Sequence, residues 1–358
     1  MSRFRKYFNK KKIIITGHTG FKGSWLTLWL NKLGAKILGI SLGTPTSPSH
    51  FKILNLNKKI TSKKIDIRNL NKLKKAIKDF KPDYVFHLAA QSLVHKSYKS
   101  PIKTWSTNTI GTINILESLR ELNKKCTAII ITSDKVYKNL EIKRGYKEND
   151  LLGGVDPYSA SKASAEIAIH SYVKSYFSKN SKVRVGIARA GNVIGGGDWS
   201  YDRLIPDCVK SWSKGKIVSI RNPKSTRPWQ HVLEALSGYL IFAVNLKLSS
   251  KFHGEAFNFG PNQKNNYNVQ NLLKESKKNW IKANWKIRKS LSSKKFSESK
   301  LLSLNSNKSK NFLNWKSVLN FSQTLKLVIS WYKEFYSSNQ KKILSSSQID
   351  YYEKIINS

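Results

Sequence analysis

Acidic residues are scarce in this chain: 21 Asp and Glu face 65 Lys and Arg over 358 residues, a formal net charge of +44. Cysteine is scarcer still. Cys126 and Cys208 stand alone with no C-x-x-C spacing, which argues against a disulfide framework and a cysteine zinc site. The seven His are scattered, and none pairs with Cys, Asp or Glu at ligand spacing, so no metal is expected. Long apolar runs are missing too. Nothing approaches the roughly 18 residues that a spanning helix needs. The basic stretch from Ser2 to Lys12 leads only into Ile13-Ile14-Ile15, too short for the apolar part of a secretion signal. The expectation is a soluble cytoplasmic protein without internal repeats.

The excess of positive charge would suit a nucleic acid or an anionic membrane. The lysines, however, are spread along the chain among many Asn, Ile and Ser, which is the pattern of a compositional bias rather than of a binding stripe. Neither a specific nucleic acid nor a membrane is therefore expected as a partner. A positive field would also draw in a small anionic substrate.

What is present begins with Ile13-Ile14-Ile15-Thr16, an apolar run that reads as a buried strand. Gly17-His18-Thr19-Gly20-Phe21-Lys22-Gly23 follows, then Leu26, Trp29, Leu30 and Leu33 at helical spacing, with Gly34 as a stop. Three glycines at a strand-to-helix turn let the backbone approach a pyrophosphate, and the helix N-terminus offers N–H groups and a positive dipole end. His18 reads as a loop residue near the phosphates. Further strands are expected near 36–41, 63–66, 84–88, 128–132 and 183–187, and helices over 70–80, 105–123 and 158–177. Such alternation predicts an α/β fold with a doubly wound, Rossmann-like parallel sheet. Beyond Gly191 the alternation stops: a loop-rich stretch starts at Gly195-Gly196-Gly197, and Lys289 to Lys310 has the composition of a linker.

The chemistry is signalled by Tyr158 and Lys162 in the run Asp156-Pro157-Tyr158-Ser159-Ala160-Ser161-Lys162. Residues four apart share one helix face, and Pro157 suits a helix start. A phenol with an ordinary pKa of about 10 works as a base at neutral pH only if positive charge stabilises its anion. Lys162 is the expected source of that charge. A second reactive trio, Ser133-Asp134-Lys135, ends the strand near 128–132.

The G-x-x-G-x-x-G spacing with the downstream Tyr-x-x-x-Lys resembles the extended short-chain dehydrogenase/reductase superfamily, over about Lys12 to Phe335. Asp66-Ile67, His87-Leu88-Ala89-Ala90-Gln91 and Thr107-Asn108-Thr109-Ile110-Gly111 match as well. Within the superfamily, Ser133-Asp134-Lys135 resembles the trio of the CDP-glucose 4,6-dehydratases, where the dTDP-glucose enzymes have Thr-Asp-Glu. The segments Arg189 to Trp199, Asp202 to Pro206 and Ser225 to Glu234 look like signatures of the same family. The resemblance implies NAD, held by Gly17, Gly20, Phe21, Gly23, Asp66 (at the adenine), Ile67, Leu88, Ala89, Ala90, Thr107, Tyr158 and Lys162. It also implies CDP-glucose as the substrate, with Gln91 at the hexose and Asn192, Arg203 and Arg227 at the diphosphate and nucleotide. A homo-oligomer, dimer or tetramer, is expected. The implied division places residues 10–190 and 232–262 in a nucleotide-binding domain, and 191–231 and 263–340 in a smaller mixed α/β substrate domain. Residues 341–358 match nothing and stay unassigned.

The implied reaction oxidises C4, eliminates water across C5 and C6, and reduces C6 with the same cofactor. Tyr158 is the expected base at C4, Ser133 a hydrogen-bond partner of the C4 oxygen, and Asp134 the acid for the departing C6 hydroxyl. Asp134 must then be protonated, so burial must lift its pKa against the neighbouring Lys135. Lys135 is either the base at C5, which requires it to shed its charge, or an electrostatic stabiliser of the enolate. Gly43 stands where an acid usually meets the adenosine ribose, so NAD over NADP follows from the resemblance alone. Open alternatives are a dehydratase or 4-epimerase for another nucleotide sugar, and a non-catalytic NAD- or nucleic-acid-binding protein.

Overall fold

The computed structural model describes residues 3–178, 181–262, 267–288, 301–337 and 343–357. The first half of the chain alternates as its apolar runs predict: β1 Lys12–Thr16, α1 Phe21–Lys32, β2 Lys36–Ser41, β3 Thr61–Lys64, α2 Leu70–Phe80, β4 Tyr84–His87, α3 Gly111–Arg120, β5 Cys126–Ile131, α4 Pro157–Ser175 and β6 Val183–Ala190. After an excursion that contains α5 Leu204–Trp212, the chain returns through α6 Val232–Leu248 to β7 Ala256–Phe259. The seven strands form one parallel sheet in the order β7-β6-β5-β4-β1-β2-β3. The chain reverses its direction of travel across the sheet between β1 and β4. Such a switch point opens a crevice at the carboxyl ends of the two strands, where Gly17 and Leu88 follow.

Alternate side chains of the central strands feed two cores. Ile13 and Ile15 join one on the side of α1 and α6, while Ile14 joins the other on the side of α2 and α3. Central strands covered on both faces read as continuous apolar runs, which is why β1 and β5 are legible. β3 is different: all four of its residues are exposed at the sheet edge, so it carries no apolar signal and starts two residues before the expected 63–66. The helix expected over 105–123 already begins at Pro101, passes through one π-turn at Ser106–Ile110 and continues as α3.

The later part of the chain adds α7 Val269–Asn279, α8 Phe321–Ser337 and α9 Ser345–Asn357. Part of the stretch read as a linker is ordered: Leu304 bridges to Tyr146, and Asn307–Leu313 is helical. Residues 289–300 of that stretch lie outside the described residues. The unassigned tail has a definite place, because α9 docks on α1, the helix behind the glycine turn. Trp29 Nε1 donates to Glu353 at 2.7 Å, Lys32 Nζ to Ser346 Oγ at 2.6 Å and to Asp350 at 3.2 Å. Tyr352 donates to the buried Glu234 at 2.7 Å, and that carboxylate also receives the backbone N–H groups of Val318 and Leu319. The Gly195–Gly197 loop is a packing feature. A Cβ on Gly196 would lie 2.1 Å from the ring of Trp331, and Trp25 Nε1 donates to the Gly196 carbonyl.

A buried ion pair anchors the end of β5. Arg189 on β6, 1 % exposed, forks onto Glu166 of α4, and Thr132 Oγ1 donates to the same carboxylate at 2.5 Å. Arg189 also donates to Tyr137 Oη at 2.7 Å. Removing one partner of such a pair strands the other charge in the interior. Glu166→Ala should therefore cost about 3–5 kcal/mol of unfolding free energy, read from denaturant midpoints. A loss below ~1 kcal/mol would show that water reaches Arg189.

Candidate active site

The glycine turn is built for close backbone approach. Gly17 has φ +72°, and a Cβ there would stand 2.8 Å from the Ala89 nitrogen. A Cβ on Gly23 would stand 2.1 Å from the Gly17 carbonyl oxygen. Gly20 is the N-cap of α1 and no side chain caps that end. The first-turn N–H groups are thus available to an anion, and these residues fit a dinucleotide pyrophosphate. Thr16 ties the two sides of the crevice together. Its hydroxyl contacts His87 Nδ1 at 2.7 Å and accepts from the Ala89 N–H at 3.1 Å. His87, pushed down to about 3 by burial and by the charge of Lys162, is neutral. The Leu88-Ala89-Ala90 turn is therefore fixed beside Gly17.

Other expected contacts are arranged differently. The His18 ring turns away from the loop, packs on Gly39 and meets Ser62 Oγ at 2.9 Å. Burial pushes it down to about 4, so it is neutral as well. Asp66 lies two residues beyond β3, and Arg68 forks onto its carboxylate, holding it below the usual carboxylate range. Ile67 packs on Gly111, where a Cβ would fall 2.6 Å from Ile67 Cδ1. Thr107 sits in the π-turn, a feature common at functional sites. At Gly43 no atom lies within 4 Å of an added Cβ. Thr19 Oγ1 bonds the Gly43 carbonyl at 2.6 Å and Ser41 Oγ at 3.0 Å.

The reactive groups converge where β5 ends. Ser133 and Asp134 are 6 % and 5 % exposed, Tyr158 and Lys162 8 % and 5 %. Asp156 caps α4 by accepting from the N–H groups of Tyr158 and Ser159, each at 3.0 Å, with Pro157 in the first turn. Asn108 then pins α4 to the crevice, donating to Ser161 Oγ at 3.0 Å and to the Gln91 carbonyl at 3.1 Å. Ser133 Oγ donates to Asp134 Oδ1 at 2.9 Å and accepts from the Lys135 N–H at 3.2 Å, and it is among the groups that pull the Tyr158 pKa down. Burial lifts the Asp134 pKa above the ordinary value, outweighing Lys135, the Ser133 bond and Lys22, which all pull it down. The opposition expected from Lys135 is real, but burial wins.

The expected cation is placed on a backbone carbonyl: Lys162 Nζ donates to the Ile131 carbonyl at 3.0 Å, and burial pushes it down to about 8. Burial raises the phenol, Asp134 and Asp156 raise it further, and Ser133 and Arg203 oppose. The Gln91 amide is engaged within its own loop, donating to Thr104 Oγ1 at 3.0 Å and to the Leu93 carbonyl at 3.1 Å, while it accepts from the Leu93 N–H at 2.8 Å.

Of the three residues expected at the diphosphate and nucleotide, Arg203 is electrostatically coupled to the site. It precedes α5, pairs with Asp198 at 3.2 Å and acts on the charges of Tyr158 and Lys22. Asn192 accepts from the Gln230 N–H through its carbonyl. Arg227 lies on a short strand paired with Tyr267–Asn268 and donates to the Thr226 carbonyl at 2.7 Å. Two residues went unread in the sequence. Lys22, in the first turn of α1, donates to Tyr239 Oη of α6 at 3.4 Å and interacts with the charges of Arg203, Lys162 and Asp134. A Lys in so basic a chain, and a Tyr in an apolar helix, carry no signal of their own. Among the described residues no three His, Cys, Asp or Glu could hold a metal, and no helix is long and apolar enough to cross a membrane.

The switch-point crevice, the glycine turn and the Ser–Tyr–Lys set together define an enzyme of the extended short-chain dehydrogenase/reductase class. The chain belongs to the GDP-mannose 4,6 dehydratase family, which it matches over residues 14–328. It is 40% identical over 353 residues to the CDP-glucose 4,6-dehydratase of Salmonella typhimurium, covering 97% of this chain and 98% of that protein. Its fold is similar to that of an epimerase of Methanothermobacter thermautotrophicus, with a TM-score of 0.79, 24% identity, and 93% and 95% of the two chains covered. It is also similar to the dTDP-glucose 4,6-dehydratase of Bacillus anthracis solved in complex with NAD, with a TM-score of 0.74, 24% identity, and 90% and 96% covered.

Proposed function

We propose that this protein dehydrates CDP-glucose to CDP-4-dehydro-6-deoxyglucose with bound NAD. The observation that carries the reading is the buried Asp134, which accepts a hydrogen bond from Ser133 Oγ at 2.9 Å at the end of β5. A carboxyl whose pKa is raised by burial can act as an acid. An epimerase, which breaks no C–O bond of the sugar ring substituents, has no use for such an acid. The cytidine base rests on the 40% identical relative.

Gly17, Gly20, Phe21 and Gly23 would hold the pyrophosphate, with Leu88, Ala89 and Ala90 along the cofactor and Asp66, Ile67 and Thr107 around its adenosine end and crevice wall. When bound, NAD supplies the two-electron acceptor that makes C4 a ketone and the donor that later reduces C6. Tyr158 accepts the C4 hydroxyl proton, and Ser133 donates to the C4 oxygen as charge develops. Water cannot leave across C5 and C6 while C4 is an alcohol, because the C5 proton is not acidic. Once C4 is a carbonyl, Lys135 takes the C5 proton as a neutral amine or, as an ammonium, steadies the enolate, and Asp134 protonates the departing C6 hydroxyl. Arg203, Asn192 and Arg227 are the proposed anchors for the diphosphate and nucleotide, by forked or amide hydrogen bonds.

Incubation with the CDP, dTDP, UDP and GDP forms of the hexose, with NAD added, tests the assignment. CDP-glucose should give a 4-keto-6-deoxy product without net accumulation of reduced cofactor. Turnover of another nucleotide sugar alone would overturn it.

A further inference from the structure

The turn that carries Ser133, Asp134 and Lys135 is held at both ends by one buried ion pair. Ile131 of β5 pairs with Ala188 of β6, so Thr132 and Arg189 are the next residues on adjacent strands. Before the turn, Thr132 Oγ1 donates to Glu166 Oε1 at 2.5 Å. After it, Tyr137 Oη accepts from Arg189 at 2.7 Å and donates to Asn258 Oδ1 of β7 at 2.8 Å. The Arg189 guanidinium also lies over the Tyr137 ring, 4.8 Å from its centre. Glu166 and Arg189 close the arrangement, because Arg189 Nε donates to the two carboxylate oxygens at 2.9 and 3.0 Å. None of these five residues is more than 4 % exposed. Glu166 also ties the turn to the helix that presents the base. Tyr158, Lys162 and Glu166 recur every four residues along α4, on one side of the helix. The end of β5 meets that side at two successive residues: the Ile131 carbonyl receives Lys162 Nζ at 3.0 Å, and the Thr132 hydroxyl bonds Glu166. Apolar residues of similar volume often replace a buried ion pair without loss of stability, but they would supply none of these directed bonds.

We propose that Glu166 and Arg189 are positioning residues for the dehydration: through Thr132 and Tyr137 they clamp both ends of the Ser133–Lys135 turn and set it against Tyr158 and Lys162. The proposal rests on the dehydratase reading. In this role the four residues exchange no proton with the sugar. Their effect is on distance. Ser133 and Tyr158 must reach one oxygen, while Asp134 and Lys135 must reach C6 and C5 of the same sugar. A displacement of about 1 Å in such a constellation costs up to about a hundredfold in rate. Loss of one clamping hydroxyl leaves the backbone pairing in place. Thr132 N–H still donates to the Ala188 carbonyl at 3.0 Å, and Lys138 N–H to the Leu151 carbonyl at 2.9 Å. The fold is therefore kept while the turn between them gains play.

Thr132→Val removes one hydroxyl and keeps the side-chain shape, and Tyr137→Phe removes the other and keeps the ring over Arg189. Assayed with CDP-glucose and NAD well below their unfolding midpoints, both should lose about tenfold in kcat, with KM and NAD affinity within about twofold of wild type. Thr132→Ser, which retains the hydroxyl, should recover most of the rate. Amide hydrogen exchange read by mass spectrometry should quicken over residues 133–137 in Thr132→Val and Tyr137→Phe. Wild-type kcat in either of these two variants, or a loss confined to KM, overturns the proposal. So does a loss that Thr132→Ser shares, or one that only follows the unfolded fraction. If Thr132→Val does not fold, Tyr137→Phe decides by the same kcat and exchange criteria. A wild-type protein inactive on CDP-glucose marks failure of the dehydratase reading instead. The clamp is then judged by exchange alone, and a wild-type rate over residues 133–137 in either variant overturns it.

Discussion

Tyr158→Phe is expected to cut turnover by at least about a hundredfold while NAD binding and the unfolding midpoint stay close to wild type. The change removes one hydroxyl and keeps the ring that α4 presents. Tyr158 is 8 % exposed, and the nearby Ser133 hydroxyl keeps Asp134 Oδ1 as its hydrogen-bond acceptor in the variant. The fold therefore loses little. The reaction loses its base at C4, so neither oxidation nor the later steps can begin. Burial raises the phenol above its ordinary pKa, and Lys162 is turned to the Ile131 carbonyl. The positive charge of an oxidised nicotinamide, when bound, would favour the anion. The pH at which activity rises should therefore fall when NAD is saturating, because positive charge lowers a phenol pKa. A variant that keeps more than about a tenth of wild-type turnover would have lost under ~1.4 kcal/mol of barrier, and Tyr158 would not be the base.

Lys135→Met separates elimination from oxidation. If Lys135 removes the C5 proton, the variant should still oxidise C4 and then stall, accumulating bound reduced cofactor that is visible by its absorbance. In D₂O the recovered sugar would carry little deuterium at C5. The position suits the role, because Lys135 follows the acid directly on a short helical turn whose N-cap is Ser133. If Lys135 stays charged and only steadies the enolate, turnover should fall while C5 exchange keeps pace with what remains. Normal turnover in Lys135→Met would make the residue a bystander.

Much of this architecture is legible in the chain because central strands and the helices that cover them leave strong apolar patterns. Ile13 to Ile15, Cys126 to Ile131 and Val183 to Ala190 are strands that the structure buries almost completely. The start of α4 is legible as well, since Asp156-Pro157 combines an N-cap acceptor with a first-turn proline. β3 was misplaced because Thr61 to Lys64 is wholly exposed and polar. The helix before α3 starts at Pro101, upstream of the expected Trp105, since Ile102 and Trp105 are exposed and give no amphipathic stripe. The tail was silent only in its resemblance. Ile349 and Tyr352 are both fully buried, three apart on one helix face, and that spacing was present in the sequence.

Within the site, residue types and order could be read from motifs, whereas the directions of side chains could not. Gln91 is turned back to Thr104, His18 is packed on Gly39, and Lys162 is engaged with a backbone carbonyl. Each is a tertiary outcome that depends on what occupies the neighbouring strand end. The raised pKa of Asp134 is of the same kind. A sequence shows Lys135 beside it, but only packing shows that burial outweighs that charge.

The central claim is that one bound cofactor both takes hydrogen from C4 and returns it to C6 of the same sugar. It is tested most directly with CDP-glucose carrying deuterium at C4, turned over by the protein with unlabelled NAD and analysed by NMR of the product. The account predicts that the label leaves C4 and reappears at C6, with no lasting gain in reduced cofactor. Deuterium retained at C4 in the product, or lost to the cofactor pool without reaching C6, would contradict it.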